Sequence, residues 1–382
     1  MNLLKNNSLK NLSLNELGLW LLIPFASLIS HTWLPIPPTM MLLFGAIACW
    51  GFQHFDNHKS KIDQHTDSPI HHGIILFSIF CLYLFASQYL INAPFRRYMG
   101  AVLAPLYFVL ILLFPKDVSA DFLKKLARKF IHYSLIILSV EVVLRYSNNI
   151  LLISRDINFF QGIYLFKFNG PMYGTSNIVA THLILVMFFI FWWNYANKQF
   201  LKKELVVTLV LLVLTLSRAA IPAIALGLCY YYFFKHLNWK NSLLVLFSTG
   251  IVGVLILLAL KHFIADASFQ SKFLIFEEAW IHYQTASLKD ILFGIGFFQS
   301  DYIMTFYAHN YFLMFLMESG VFGLLFLCLT LFYLIKATNG AAMIVLLPFF
   351  IQSASESVVF MPHFYVIMGL LVLFANKNRL YD

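Results

Sequence analysis

Two short segments of this sequence combine residues that could bind an anion and move a proton. Ser217 and Arg218 stand between two apolar runs, and His309 and Asn310 open a third. A guanidinium group holds phosphate oxygens in a fork, and an imidazole near a surface can accept a proton close to neutral pH. Glu318 follows within the third run, where a carboxylate needs a partner inside the protein. These residue types predict a site for an anionic substrate with one general base.

The composition indicates which elements must position these residues. Of the 382 residues, 60% are hydrophobic and 11% are charged, whereas soluble domains have about 45–50% and about 25%. Such a chain cannot bury its apolar surface in a globular core, so lipid must be its solvent. This excludes a soluble enzyme, a disordered chain and a fibrous protein. We expect an all-α, polytopic membrane protein that forms a single transmembrane domain over 1–382.

Apolar segments predict about twelve transmembrane helices. Most reach the roughly 17–25 residues that cross about 30 Å of hydrocarbon, and the last two are shorter. The first segment lacks a cleavage site of small residues, so we interpret it as a retained helix and not as a signal peptide. The segments are 17–34, 37–54, 73–91, 98–114, 129–146, 174–196, 204–217, 219–234, 242–261, 310–335, 341–353 and 361–375.

The basic residues indicate how these helices are oriented. With the N-terminus inside, seventeen of the 26 Lys and Arg residues fall in cytoplasmic segments and nine fall outside. Cytoplasmic loops are the ones enriched in Lys and Arg. We therefore expect both termini in the cytoplasm and 262–308 as the largest periplasmic loop. The net charge of +9 then reflects membrane topology and not nucleic-acid binding.

Arg218 is the most informative of the external cations. Between Lys203 and Lys235 the chain must cross the membrane and return in about thirty residues, so each leg reaches only about 21–24 Å. The turn between the legs is therefore expected to be recessed in the membrane. Ser217 is expected to cap the returning helix, with Pro222 in its first turn, which places Arg218 at a helix N-terminus that attracts anions. The alternative is an interfacial Arg that only anchors the turn.

The segment around His309 is expected to lie at the outer membrane surface. Asn310 should cap the helix that it precedes, which leaves His309 just outside the first turn. Glu318 would lie about 13 Å deeper by helical rise, facing the interior either as a hydrogen-bond partner or as a catalytic group. Gly320 and Gly323 share a face that permits close helix contact. A lone interfacial His is also often inert, and the sequence leaves both roles open.

Three further external cations precede predicted spans. Arg96 and Arg97 stand before the fourth span, and Lys167 begins the stretch that leads to Asn177 and the sixth. Together with the two segments above, they are expected to form one basic, partly dry cavity open to the outer leaflet. A diphosphate on a lipid carrier suits such a cavity best. The alternative for each cation is that it snorkels to the outer headgroups.

The large external loop carries aromatic residues at helical spacing. They predict an amphipathic helix that lies in the membrane interface. The residues are Phe269, Phe273, Phe276 and Trp280. A Gly294-Ile295-Gly296 turn follows, and because no strand precedes it, it is not a nucleotide-binding fingerprint.

Several of these segments follow one another in a recognisable order. His309-Asn310 is followed after nine residues by Gly320-Val321-Phe322-Gly323. This order resembles the His-Asn-x9-Gly-x-x-Gly signature of the O-antigen ligase and polymerase superfamily of bacterial inner-membrane proteins. The Leu-Ser-Arg turn at 216–218, the Gly-x6-Asn stretch at 170–177 and the Gly-Ile-Gly turn are similar as well. The resemblance covers roughly 165–330, and Ser176 stands where the family often has Pro.

The resemblance implies an inverting, metal-independent glycosyl transfer in the periplasm, without a cofactor. The donor is a glycan on undecaprenyl diphosphate, and the lipid diphosphate leaves as an acceptor hydroxyl attacks the anomeric carbon. Arg218 matches the arginine that contacts the diphosphate, and His309 matches the histidine that positions or deprotonates the acceptor. Arg96 and Arg97 loosely resemble an arginine near an early external loop of ligases. The further substrate-binding candidates are Lys167, Asn177, Asn310 and Glu318.

Two activities share this signature. A polymerase uses a second lipid-linked repeat unit as acceptor, whereas a ligase uses the sugar core of lipid A. The spacing of the signature favours a ligase slightly, and the divergent remainder, rich in Phe and Tyr, favours a polymerase, which we prefer. Membrane lipid and a chain-length regulator protein are the candidate partners, and no nucleic acid is expected. A flippase or transporter remains the alternative of another class, although no repeat symmetry between halves is apparent.

Overall fold

The computed structural model is all-helical in the part of the chain that it describes. The described residues are 12–28, 37–56, 69–93, 95–114, 118–153, 165–167, 170–234, 238–260, 267–305, 310–354 and 361–379, and none of them forms a strand. The all-α prediction is therefore confirmed for these residues.

Fourteen α-helices follow one another in this part of the chain. The first seven are α1 (Leu14–Leu22), α2 (Pro38–Asp56), α3 (Pro69–Leu90), α4 (Phe95–Leu113), α5 (Ala120–Ile153), α6 (Ser176–Asn197) and α7 (Lys202–Leu214). The other seven are α8 (Ala220–Phe234), α9 (Trp239–Leu260), α10 (Ala267–Thr285), α11 (Leu288–Phe293), α12 (Tyr311–Ala337), α13 (Met343–Ser353) and α14 (Pro362–Arg379).

Three of these helices, α3, α6 and α12, are long and apolar enough to cross a membrane. Five shorter apolar stretches lie in α2, α4, α8, α13 and α14. These helices are compatible with a membrane protein. The first predicted span, 17–34, is wrong in extent, because α1 ends at Leu22 and is nine residues long. Pro24 stands two residues later, and a proline has no N–H with which to continue the helical hydrogen bonds.

Helix α6 lies at the centre of the bundle. In its most apolar 18-residue stretch, 89% of the residues are buried. Five helices pack against it, namely α5, α7, α8, α13 and α14. The helix begins where the Thr175 hydroxyl accepts a hydrogen bond from the Ile178 N–H at 3.4 Å, which satisfies one of the free donors of the first turn. Five neighbouring helices therefore fix the position of α6 in the bundle.

Buried polar groups tie the turn after α1 to this core. Ser27 Oγ lies 2.6 Å from Ser134 Oγ on α5 and 2.6 Å from His363 Nδ1 on α14. The Tyr173 hydroxyl donates to the Ser27 carbonyl, and its ring lies 4.7 Å from that of His182 on α6. A hydrogen bond between apolar helices is worth more where water cannot compete. This cluster therefore positions the loop that precedes α6.

The amphipathic helix predicted in the large external loop corresponds to α10. Its inward face carries Ile275 and Ala279, each 2% exposed, whereas Phe276 and Trp280 are 44% and 66% exposed. Those two members of the predicted aromatic stripe therefore face outward, away from the bundle. An outward apolar face on a helix with charged neighbours is typical of a helix that lies in a membrane interface.

Candidate functional site

The turn between α7 and α8 is bound to the first turn of α6 by buried polar groups. Ser217 Oγ donates to Asn177 Oδ1 at 2.9 Å, and Gln352 Nε2 donates to Ser217 Oγ at 3.2 Å. Gln352 is fully buried near the end of α13. Since the three residues come from distant parts of the chain, their hydrogen bonds fix the 216–218 turn relative to α6 and α13.

The backbone of this turn is unusual. Leu216 has a φ of 54°, in the left-handed region that bulky residues rarely adopt. Ser217 does not cap α8 with its side chain, so that prediction is wrong: α8 begins at Ala220, and the Ser217 hydroxyl donates to Asn177 instead. The hydroxyl oxygen accepts from Gln352 Nε2, and not from a backbone N–H of α8. Pro222 does lie in the first turn of α8, as predicted.

Arg218 stands two residues before the start of α8 and its side chain is exposed, whereas the neighbouring Ser217 is buried. Helices α7 and α8 have 13 and 15 residues, which correspond to about 20 and 22 Å. These lengths confirm that both legs are short. The guanidinium therefore extends from a turn whose other side is anchored in the protein.

A buried ion pair holds the loop that leads to Asn177. Arg145 Nη2 lies 2.6 Å from Glu141 Oε1, and the two side chains are 3% and 0% exposed. Arg145 also donates to the carbonyls of Lys167 at 3.0 Å and Tyr173 at 2.6 Å. Glu141 accepts from the Met172 N–H at 2.9 Å. Both side chains of the ion pair thus also form hydrogen bonds with the backbone of this loop.

Gly170 is the point of closest approach between the loop and the ion pair. A Cβ at this position would overlap both the Arg145 guanidinium and the Glu141 carboxylate. Only glycine therefore fits at position 170 without a steric clash with the ion pair. At the far end of the loop, the Ser176 N–H donates to the Lys167 carbonyl at 2.8 Å, which sets the start of α6 and with it the position of Asn177.

The start of α12 confirms the predicted cap. Asn310 Oδ1 accepts hydrogen bonds from the backbone N–H groups of Phe312 and Leu313, both at 3.1 Å. His309 directly precedes this cap and lies outside the described residues. Its placement beside the first turn of α12 remains a prediction from the sequence.

Helix α13 connects the start of α12 with the 216–218 turn. The Phe350 ring lies 5.8 Å from that of Tyr311 and 5.1 Å from that of Phe312. Two residues further along α13, Gln352 bonds to Ser217. The cap that follows His309 and the turn that carries Arg218 therefore contact the same end of α13.

Helix α12 is broken near its middle, where the sequence predicts a continuous helix. Gly320 has a φ of 71° and a ψ of −175°, which only glycine adopts without strain. A Cβ there would overlap the backbone of Leu292, and a Cβ on Gly294 would overlap the backbone of Glu318. Two glycines thus let the end of α11 lie against the break. Hydropathy does not signal it, because both halves of α12 are apolar.

Groups outside α12 satisfy the carbonyls at this break. Burial raises the pKa of Tyr283, so its hydroxyl stays protonated and available as a donor. A broken helix is tolerated in an apolar environment when its freed backbone groups are paired in this way. The bonds are Tyr283 Oη to Leu316 O at 2.6 Å, Ile295 N to Met317 O at 3.0 Å, Gly296 N to Glu318 O at 3.1 Å and Tyr83 Oη to Ser319 O at 2.6 Å.

The two glycines of the Gly-x-x-Gly element have different roles. Gly320 makes the break and also lets the end of α11 approach closely. The predicted close helix contact is therefore present at Gly320, but the break separates it from the helical face of Gly323. Gly323 lies one turn later, where a Cβ would overlap the side chain of Ser319.

Glu318 faces the protein interior, as predicted. Its side chain is fully buried, and its Oε1 accepts a hydrogen bond from Ser300 Oγ at 2.8 Å. Gln88 bridges the same region, since its Nε2 donates to the Glu318 carbonyl at 3.4 Å and its Oε1 accepts from the Phe297 N–H at 2.7 Å. This geometry favours the hydrogen-bonding role of Glu318 over a catalytic one.

The other predicted substrate-binding residues are located in part. Arg96 and Arg97 belong to the first turn of α4, and their side chains lie outside the described residues. Lys167 is half-buried, and its carbonyl accepts hydrogen bonds from Arg145 and from the Ser176 N–H. The structure thus brings Asn177 to the Leu216–Arg218 turn and Lys167 to the buried ion pair. It does not describe the single basic cavity that the sequence predicts.

Sequence reasoning missed three residues of this site. Glu141 and Arg145 stand four residues apart, and this spacing places an acidic and a basic side chain together on a helix surface. That signal is present in the sequence, but the charge count above includes Arg145 only as one of the nine external Lys and Arg residues. The sequence does not indicate a role for Gln352, because a single amide side chain in a short apolar segment has no recognisable spacing to other polar residues.

Comparisons of the chain with family models, with curated proteins and with solved structures find no match.

Proposed function

We propose that this chain is an integral membrane glycosyltransferase of the O-antigen polymerase type. In this proposal it crosses the bacterial inner membrane about twelve times, with both termini in the cytoplasm and the site facing the periplasm. It transfers glycan repeat units from undecaprenyl diphosphate to a second lipid-linked repeat unit, with inversion and without a metal. The proposal rests on the motif resemblance and on the contacts that follow.

The hydrogen bond between Ser217 and Asn177 carries the proposal. The 170–177 stretch and the 216–218 turn resemble the superfamily independently and are separated by some forty residues of sequence, yet they are in contact. A single site built from both segments would require such a contact. Arg218 stands beside it, and its side chain is exposed.

A second contact supports the proposal in the same way. The Gly294-Ile295-Gly296 turn, also similar to the superfamily, donates two backbone hydrogen bonds to the broken segment of α12 that precedes Gly320. Discontinuous helices occur in membrane proteins where the broken backbone is buried in protein or lines a cavity. The four segments that suggested the function therefore form two contacting pairs.

The proposed reaction assigns one role to each polar group. The Arg218 guanidinium stabilises the diphosphate as the bond between the anomeric carbon and the phosphate oxygen breaks, where negative charge develops. The acceptor hydroxyl forms the new glycosidic bond and gives its proton to His309. Asn177 and Gln352 hold the Arg218 turn through Ser217. Asn310 orients the backbone next to His309 by capping α12.

The ligase remains the second candidate, because the spacing from His309 to Gly320 matches its signature slightly better. Replacement of His309 separates the two. In a strain without the chromosomal gene, His309→Ala should lose on the order of 10²–10⁴ in rate. Loss of a polymerase leaves lipopolysaccharide capped with a single repeat unit. Loss of a ligase leaves core without any repeat, and long glycan accumulates on the lipid carrier.

The readout of this experiment is the lipopolysaccharide ladder on a gel, at matched protein level. His72→Ala, an exposed histidine at the start of α3, is the control and should give the wild-type ladder. Bare core together with lipid-linked polymer would replace the polymerase by the ligase. An unchanged ladder in the His309→Ala strain would contradict both enzyme readings.

A further inference from the structure

A cavity of about 430 Å³ lies at the other end of α6 from Asn177. One face of α5 lines it, together with the end of α6, the residues that follow and one residue of α14. Asn177 and Trp193 stand sixteen residues apart on α6, which is about 24 Å along the helix axis. The cavity is therefore separate from the proposed glycosyl-transfer site.

The rim of this cavity is strongly basic. Four cationic side chains and a single acidic one, that of Asp121, line it. The cations are exposed, and among the described residues none lies within salt-bridge distance of a carboxylate, while Arg128 interacts with Glu204 on α7 at longer range. They are Lys124, Lys125 and Arg128 on α5 and Lys198 after α6. Four cations against one carboxylate on the rim create a positive potential that favours an anionic ligand.

The backbone places Lys198 at this rim in a costly conformation. Lys198 follows the last residue of α6 with a φ of 52°, in the left-handed region where glycine or asparagine is usual at a helix end. A lysine beside a helix C-terminus is stabilised by the partial negative charge of the last carbonyls. The Lys198 side chain joins the three cations of α5 at the cavity rim.

The floor of the cavity is aromatic. Trp193 and Phe374 line it, both are almost completely buried, and their rings meet edge to face at 5.7 Å. The indole N–H of Trp193 has no acceptor in the described part of the chain. A rim of cations above an apolar floor suits a ligand that has a charged head and an apolar portion.

We infer that this cavity binds a phosphate group with a net negative charge. Guanidinium and ammonium groups are the usual protein donors to phosphate oxygens. Basic pockets between helices at the cytoplasmic side of membrane proteins bind phospholipid headgroups, and the Lys and Arg distribution predicts that this end of α6 is cytoplasmic. A lipid headgroup and free phosphate share the recognising chemistry, so the experiment must tell them apart.

The test is a binding measurement on the purified full-length protein in a non-ionic detergent. The probes are dihexanoylphosphatidic acid, inorganic phosphate and, as the zwitterionic control, dihexanoylphosphatidylcholine. The Lys124→Gln/Lys198→Gln double variant should bind phosphatidic acid about tenfold more weakly or worse, with unchanged elution on size exclusion. Lys203→Gln, an exposed cation outside the cavity, should bind within twofold of wild type. Wild-type affinity should fall as salt is added.

The outcomes decide both the site and the source of the phosphate. Binding of phosphatidic acid alone identifies a headgroup site, and equal binding of inorganic phosphate identifies a site for the free ion. Both results support the inference when the double variant weakens binding. Equal affinity of the double variant and wild type overturns it, as does equal binding of phosphatidylcholine. Glycosyl transfer is not measured, so failure of either proposal is recognised independently of the other.

Discussion

Ser217 Oγ donates a hydrogen bond to Asn177 Oδ1 across 2.9 Å, and this bond joins the turn before α8 to the first turn of α6. Gln352 completes the contact from α13. Arg218, the next residue, thus extends from a backbone that is held from two sides. An exposed guanidinium stabilises developing charge more effectively when its backbone is fixed beforehand.

Removing the hydroxyl should misplace Arg218 without unfolding the protein. Ser217→Ala leaves the buried groups of Asn177 and Gln352 without this partner, at a cost of about 1–3 kcal/mol. We expect glycan synthesis to fall on the order of tenfold, with protein level and elution volume unchanged. Ser248→Ala, which removes a hydroxyl bonded only within α9, is the matched control. Wild-type activity in Ser217→Ala would show that the contact does not position the arginine.

The buried ion pair should be required for stability. Glu141→Gln removes the charge that faces Arg145, and breaking a buried pair costs about 3–5 kcal/mol because a charge is left uncompensated. The apparent Tm in detergent should fall accordingly. Glu277→Gln, an exposed carboxylate on α10, should leave the Tm unchanged. An unchanged Tm in Glu141→Gln would contradict the buried geometry.

Replacing both members of the pair separates stability from function. The double variant Glu141→Leu/Arg145→Met removes both charges, and such exchanges are often neutral or stabilising. We expect the Tm to recover toward the wild-type value. Activity should stay low, because the hydrogen bonds to Lys167, Met172 and Tyr173 are lost. Recovery of both would show that the pair does not position the 170–177 stretch.

The break in α12 should tolerate only glycine at position 320. Gly320→Ala imposes a left-handed φ on a residue with a side chain, which costs about 1–2 kcal/mol, and adds the overlap with Leu292. We expect a lower Tm and a reduced yield of folded protein. Gly250→Ala, on α9 with open space around it, should be neutral or stabilise by up to about 1 kcal/mol. If Gly320→Ala and Gly250→Ala had the same Tm and yield of folded protein, the break in α12 would be contradicted.

Local signals in the sequence predicted some of the helices and one of the two caps. The expected span 174–196 corresponds to α6, and Asn310 caps α12, because hydropathy and capping depend on residues close together in the chain. Glu318 was also predicted to be buried, since a carboxylate in an apolar run must find a partner.

The parts that could not be predicted depend on contacts between distant residues. The break at Gly320 packs against the Gly294 turn. The residues of the apolar run around Gly320 do not predict this contact. Ser217 was assigned as a cap from its neighbours, yet its actual partner lies on another helix. Leu216 adopts a left-handed φ that no propensity predicts for leucine, so it too depends on the tertiary contact.

The predicted orientation can be tested by labelling single cysteines in a cysteine-free background. Lys289→Cys, exposed near the start of α11, should react with an impermeant reagent in intact spheroplasts. Lys198→Cys, exposed at the end of α6, should react only after the membrane is opened, because the basic residues predict that it is cytoplasmic. The reverse pattern would invert the topology.

The central claim is that Arg218 binds the diphosphate of a lipid-linked glycan, and one substitution tests it most directly. Arg218→Ala should abolish long surface glycan, with a loss on the order of 10²–10³ in rate, and Arg218→Lys should recover little because a point charge cannot reproduce the fork. Lys289→Ala, an exposed cation of the same predicted side, should give the wild-type ladder. At matched protein level, a normal glycan ladder in the Arg218→Ala strain would contradict the account.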